Sequence, residues 1–356
     1  MKKVLALILA LTMFGSFVLA GCGGDDNKGG DDGKIENIVL IVGNLGDKSF
    51  ADIAWEGVQK FGKDSGIPVK CLEYGNDTTK INPMLLDACD TYDVIISASN
   101  SILEYLGNGV ANDNPDKWFI CFDISPVYEV KNDNVFCINY KQFEGDYLAA
   151  YIAMSLSKTG VIGFVGGEEA TVILDFMTGY IDGALAVNPN GKVAVSFIGN
   201  YTDTAKAKEL SLAQADQGAD VIHQVAGGAG LGIFEAMNER KGWAIGVDAD
   251  QREYFTTSNP DLADVIVTSM LKRNDVAIYD ILEKTVDGTA TYGQLVRWGA
   301  AEGVTVLVDN EYFKQCIGDD LHKEYTNLLG NLPKDIHSAY FMESAEINNL
   351  RNSVKP

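Results

Sequence analysis

The sequence predicts an α/β protein built from doubly wound parallel sheets, and three observations carry that expectation. Short, continuous apolar runs recur along the chain. Stretches of helical period fill many of the intervals, and the apolar runs end in glycines, amides and carboxylates. Strands buried on both faces read as unbroken apolar runs. Alternation with helices makes neighbouring strands parallel, and the polar strand ends are where such sheets bind ligands. With 356 residues the chain is long enough for two core-forming lobes.

Taken in order, the first element is not part of the fold. Lys2 and Lys3 precede an apolar run from Val4 to Val18, which closes on Leu19-Ala20-Gly21-Cys22. A charged start, a short apolar stretch and small residues before a cut describe a secretory signal. A run of about 15 residues is short of the roughly 20 that span a bilayer. A cysteine at the cut adds the lipobox arrangement. Residues 1–21 are expected to be removed and the Cys22 thiol to carry a diacylglycerol. Everything after Cys22 would then lie outside the cytoplasmic membrane, at the cell membrane. From Gly23 to Gly33 no residue is apolar, so residues 22–34 read as the lipidated cysteine and a flexible tether.

The body begins with Ile38-Val39-Leu40-Ile41-Val42, a fully buried strand pattern, followed by a helical stretch with Ile53, Val58 and Phe61 roughly on one face. Further strands are expected at Val94-Ile95-Ile96, Trp118-Phe119-Ile120, Val161 to Val165, Val193-Ala194-Val195, Val221-Ile222 and Trp243 to Val247. Helices are expected over Thr204 to Ala215 and Ile233 to Arg240. The strand ends carry the candidate chemistry: Gly43-Asn44 through Phe50, Ser97 to Asn100, Asp123-Ile124-Ser125, Gly166 to Glu169, Ala226 to Gly230, and Asp248 to Gln251. Glycines let the backbone approach a ligand, and carboxylates accept from hydroxyls. No low-complexity linker separates two halves, so several short crossovers are expected between lobes.

Charge excludes some functions. The formal net charge is −22, and removal of Lys2 and Lys3 with the leader takes it to −24. Phosphate neutralisation needs Lys and Arg, so no nucleic acid and no anionic lipid is expected to bind through charge; membrane contact would be through the lipid anchor alone. Apart from Cys22 there are five cysteines, Cys71, Cys89, Cys121, Cys137 and Cys316, with no C-x-x-C pair. Neither a disulfide framework nor a zinc site is indicated.

Catalytic signatures are absent: there is no G-x-x-x-x-G-K-[ST], H-E-x-x-H or G-x-S-x-G. The cluster Gly227 to Gly232 misses G-x-G-x-x-G because Ile233 holds the last position. His223 follows a buried strand pattern and reads as a core histidine or, failing that, a ligand contact. Asp248-Ala249-Asp250 lacks the rest of a calcium loop. No metal, no cofactor and no enzymatic activity are expected.

The strand-end motifs together resemble the basic membrane protein family of ABC-transporter solute-binding lipoproteins, which includes purine nucleoside receptors. The resemblance runs from about Ile38 to about Asp309. It is carried by Gly46-Asp47-Lys48-Ser49-Phe50 with Ala54-Trp55-Glu56-Gly57, and by Glu144-Gly145-Asp146-Tyr147-Leu148-Ala149-Ala150. Ile162 to Gly167, Gly218 to Ile222 with Val225 to Gly228, Trp243 to Gln251 and Thr268 to Arg273 complete it. It implies a type I periplasmic-binding-protein fold with three crossovers forming a hinge. Residues 35–139 with about 270–303 would make the N-terminal lobe, and 140–269 with about 304–356 the C-terminal lobe. It also implies an aromatic sandwich around the base. Phe50 fits one ring, and Tyr201 stands where the family usually has Phe. Asp123 fits a base contact. Gly227, Asp248 or Asp250, and Lys272 fit the ribose side. Asp47, Ser49, Asn44 and Asn100 are further cleft candidates. Ala51 replaces a usual Asn and Ala229 a usual Thr.

These expectations describe an extracytoplasmic, monomeric receptor that closes on a nucleoside, purine in first place, and delivers it to an ABC permease. The alternative is a receptor for another small polar ligand such as a sugar or modified nucleoside. A nucleoside-cleaving or sugar-processing enzyme using Glu168 and Glu169 is a weaker rival, because adjacent carboxylates on one loop point apart more often than they flank a bond. A surface adhesin without a solute is the last.

Overall fold

The computed structural model describes residues 34–98 and 100–356, apart from the side chains of Asn100 and Ser101; the leader, Cys22 and the tether to Gly33 lie outside the described residues. From Ile35 onward the chain forms one compact unit. It starts with strand β1 (Ile38–Val42), buried at every position. Helix α1 (Phe50–Ser65) follows and buries Ile53, Val58 and Phe61 on the expected face, ending at Gly66 in the left-handed region. Then come β2 (Val69–Glu73), α2 (Ile81–Thr91), β3 (Val94–Ala98), α3 (Asn100–Tyr105), α4 (Ala111–Asp113), β4 (Trp118–Phe122) and β5 (Val135–Tyr140).

Past Tyr140 the chain enters a second layer with α5 (Gln142–Leu156), β6 (Val161–Gly166), α6 (Thr171–Val187), β7 (Lys192–Phe197) and α7 (Thr204–Asp216). β8 (Val221–Val225), α8 (Leu231–Arg240), β9 (Trp243–Asp248), α9 (Pro260–Val265) and β10 (Ile266–Lys272) continue it. The chain then returns with α10 (Asn274–Val286) and β11 (Gln294–Trp298). It crosses once more to β12 (Thr305–Leu307), α11 (Glu311–Leu329) and α12 (Ser344–Ser353).

Two sheets result, ordered β11-β5-β4-β3-β1-β2 and β12-β10-β9-β8-β6-β7. All pairings are parallel except that of β12 with β10. The chain therefore passes between sheets three times, after Tyr140, after Lys272 and between Trp298 and Thr305. Alternate residues of each strand feed opposite faces: Ile38, Leu40 and Val42 pack with α1 and α10, whereas Val39 and Ile41 pack with α2 and α3. The second sheet is covered by α5, α6, α11 and α12 on one face and by α7, α8 and α9 on the other. Both faces of both sheets are thus buried, which is why the strands read as apolar runs.

His223 is a core residue, fully buried, with Nδ1 3.0 Å from the Ile245 carbonyl and Nε2 3.1 Å from Asp146. Among the described residues five cysteines are free, of which Cys89, Cys121 and Cys137 are buried. Among the described residues no helix is long and apolar enough to cross a membrane.

Candidate functional site

In a parallel sheet the loops after the strands gather at one edge, and here the carboxyl ends of β1 and β4 meet those of β8, β9 and β10. The loop from Gly43 to Ser49 leaves β1 and turns into α1. Asp47 caps that helix: its carboxylate accepts from the main-chain N–H of Ser49 at 3.0 Å, Ala51 at 3.0 Å and Asp52 at 3.2 Å. Burial raises the Asp47 pKa, and those three hydrogen bonds work against the rise. Capping by Asp47 sets the direction of Phe50, the first residue of α1. One face of the Phe50 ring stacks on Phe122 at the end of β4, with centroids 5.4 Å apart and planes 26° apart.

Asp123 directly follows β4 and Asp248 ends β9, each in the left-handed region at φ of 61° and 66°. That conformation is uncommon for a residue with a side chain, and at both positions it turns the chain sharply out of the sheet. Lys272, the last residue of β10, is 2% exposed and forms an ion pair with Asp123 across the two sheets. Three rings surround its ammonium: Tyr140 and Phe176 at 5.2 Å and Phe50 at 5.4 Å. A desolvated ammonium needs compensation of this kind. Asp248 is held by the buried Ser49 hydroxyl, which donates to it over 2.5 Å. Its pKa is pushed up to about 6 by burial, with Lys272 and the Ser49 bond opposing the rise and the charges of Asp47 and Asp123 adding to it.

Tyr201, after β7, lies over Gly167 at the end of β6, where a Cβ would come within 2.3 Å of the ring. Burial and the Glu168 charge raise its phenol pKa, while a main-chain hydrogen bond from Glu168 lowers it. The ring remains 37% exposed. Gly227 opens the turn after β8 at φ of 53°. Next to it, a Cβ on Gly228 would sit 3.6 Å from the Tyr201 carbonyl and 3.7 Å from the Asp47 Cα, so the loops of the two sheets approach closely here.

The structure thus brings Phe50, Asp123, Asp248, Lys272 and Ser49 into one cluster, with Asp47, Gly227 and Tyr201 at its edge. Asp250 faces its own turn, where its carboxylate accepts from the Glu253 N–H at 3.4 Å, and burial raises its pKa. Asn44 is exposed and donates to Asn76 at 3.0 Å. The Asn100 side chain is outside the described residues.

Several residues of this region were given no individual role by sequence reasoning. Tyr140 and Phe176 encircle Lys272. Gln142, the first residue of α5, donates to Asp175 at 2.7 Å, and Ser338 donates to the same carboxylate at 2.6 Å. Burial pushes the Asp175 pKa up to about 7, against the Ser338 bond, a main-chain bond from Ala339 and the charges of Lys272 and Arg297. Gln251 and Gln224 form a buried amide pair beneath the loops after β8 and β9. The only local hint for Gln142 was its place just ahead of the Glu144-Gly145-Asp146 motif.

Chemically the cluster offers an aromatic face, carboxylate acceptors and one buried ammonium. Residues 34–327 match the Bmp family, described as ABC transporter substrate-binding protein PnrA-like. The ABC transporter nucleoside-binding protein BmpA of Lactococcus lactis is 31% identical over 354 residues, covering 92% of this chain and 97% of its own. Basic membrane protein A of Borreliella burgdorferi is 31% identical over 347 residues, covering 93% and 94%. Among solved structures, an ABC transporter solute-binding protein from Aeropyrum pernix superposes with a TM-score of 0.68 at 24% identity, over 89% of this chain and 85% of that one. That likeness speaks for the fold alone.

Proposed function

Given that the chain belongs to the Bmp family of PnrA-like ABC-transporter substrate-binding proteins, we propose that it captures a nucleoside, purine in first place, between its two sheets. The observation that carries this reading is the convergence of Phe50, Asp123, Asp248 and Lys272 at the facing strand ends. A nucleobase presents two wide faces and a polar edge. Phe50 and Tyr201 would clamp the faces, and Asp123 would accept from N–H groups of the edge. Asp248 would accept from ribose hydroxyls, Lys272 would donate to the sugar oxygens, and the Gly227 turn would let the backbone approach. One ammonium against several carboxylates disfavours an added phosphate, so a nucleoside fits better than a nucleotide.

In this reading no bond is made or broken. Ligand bridging both sheets would stabilise the closed arrangement, and the closed protein would dock as a monomer on an ABC permease. The Cys22 lipid would hold it on the outer face of the cell membrane. The second reading, a sugar or modified nucleoside, is favoured by the Lys272–Asp123 pair, which already engages one oxygen of the carboxylate that a base edge would use.

Calorimetric titration of unfolded and refolded protein with guanosine, inosine, adenosine, cytidine and ribose tests both. One-to-one binding of a purine nucleoside, lost in Phe50→Ala, is the expected result. Binding of ribose but no nucleoside would overturn the clamp.

A further inference from the structure

Gln251 has no ligand role in that reading, yet its hydrogen bonds tie the loops after β1, β8 and β9 to one another and to β10. Its side chain is fully buried. The Oε1 atom accepts from the Val247 N–H at 3.0 Å, just before Asp248, and from the Gln224 Nε2 at 2.5 Å. Gln224 in turn accepts from the Ala226 N–H at 3.0 Å, which fixes the chain entering the Gly227 turn. The main-chain N–H of Gln251 donates to Ser269 of β10 at 3.1 Å. On its other side, Nε2 donates across the cleft to the Lys48 carbonyl at 3.1 Å, directly ahead of Ser49 and Phe50.

An amide is planar, with its acceptor and donors in fixed directions. Because Val247 and Gln224 occupy the oxygen, the direction of the N–H groups follows, and the Lys48 carbonyl can meet them at only one separation of the sheets. Lys48 itself is held at φ of 51°, with its ammonium 4.8 Å from the Phe255 ring and 5.7 Å from the Tyr254 ring of the opposing lobe. The Ser49–Asp248 bond lies beside it.

We propose that Gln251 is a positioning residue which couples closure of the cleft to the shape of the β8 and β9 ligand loops, with Lys48 as its partner on the opposite lobe. The inference rests on the reading of this cleft as the ligand site. It places the control of ligand release in a bond the ligand does not make: the Nε2–Lys48 bond forms only when the sheets are shut, and it draws the Asp248 and Gly227 loops into register as it forms.

Gln251→Glu tests it, because the carboxylate still accepts from Val247 and Gln224 but sets an oxygen against the Lys48 carbonyl. Stopped-flow release of the nucleoside should accelerate about five- to tenfold while the association rate changes by less than about twofold. Burial of the new carboxylate should lower the melting temperature of the unliganded variant, so release is read on the folded fraction. Lys48→Met leaves the second lobe untouched and should speed release about threefold by removing the cation–ring contacts. Parental release rates in both variants, or losses confined to association, would overturn the proposal. Should the parent bind no nucleoside, the ligand reading alone fails, and X-ray scattering of the unliganded proteins decides this one. A larger radius of gyration in Gln251→Glu supports it, and identical profiles overturn it.

Discussion

A carboxylate that accepts from sugar hydroxyls has to be ionised, and Asp248 is held near the margin. Burial pushes its pKa up to about 6, with Lys272 and the Ser49 hydroxyl resisting. Nucleoside affinity should therefore be level above about pH 6 and weaken as pH falls through that value, towards tenfold per unit. Asp248→Asn should bind more weakly and show a flatter profile, as titrations across this range would reveal. Unchanged affinity in acid would remove Asp248 from the ligand. Tyr201 separates ring from hydroxyl. If stacking matters, Tyr201→Ala should weaken binding about ten- to a hundredfold, while Tyr201→Phe should change it by less than about threefold, since the hydroxyl answers to the Glu168 loop.

At the scale of elements, α5 and α6 pack backbone against backbone. A Cβ on Gly183 of α6 would fall 2.1 Å from the Tyr147 carbonyl of α5, and backbone cannot swing aside as a side chain can. Gly183→Ala should destabilise the protein by about 1–3 kcal/mol, read as a lower midpoint in denaturant, with ligand affinity of the folded fraction unchanged. This contact was silent in the sequence, whereas β1, β3, β4, β6, β8 and β9 were legible because strands buried on two faces carry unbroken apolar runs, and the edge strand β7 only through its short Val193-Ala194-Val195 run. Edge strands break that pattern. In β2 and β11 every residue is half-buried or exposed, and β12 has three residues, so none announces itself. The buried strand β5 went unread because Asn139 interrupts its apolar run. Within the site, Asp123 and Asp248 were visible as the polar ends of apolar runs. The partners of Gln142 and Gln251 lie 33 and 203 residues away, and no local pattern encodes a pairing at that distance.

For the whole molecule, the first crossover and the C-terminal segment are tied to α6 through one buried acid. Asp175 accepts from Gln142, where the chain has just entered the second lobe, and from Ser338, in the stretch between α11 and α12. Thr178 and Asp182, on the same side of α6, bind that stretch through the His337 carbonyl at 3.0 Å and the His337 N–H at 2.7 Å. Burial raises the Asp175 pKa from 3.8 to about 7. A raised acid pKa means the folded state holds its proton where the unfolded state has released it. The contribution to stability is then complete below about pH 4 and is lost as pH rises through about 7. Asp248 adds a smaller loss in the same direction. Asn at position 175 carries no charge to desolvate. Its oxygen can accept from Ser338, and its amide can donate to Gln142 Oε1, which has no partner among the described residues, once Gln142 turns its own amide over. Asp175→Asn should therefore melt higher than the parent above about pH 7 and lose most of the decline in melting temperature between about pH 4 and about pH 7. Thermal melts of both proteins across that range decide the matter. A variant that melts lower at every pH would mean that the hydrogen bonds to the carboxylate outweigh the cost of burying its charge.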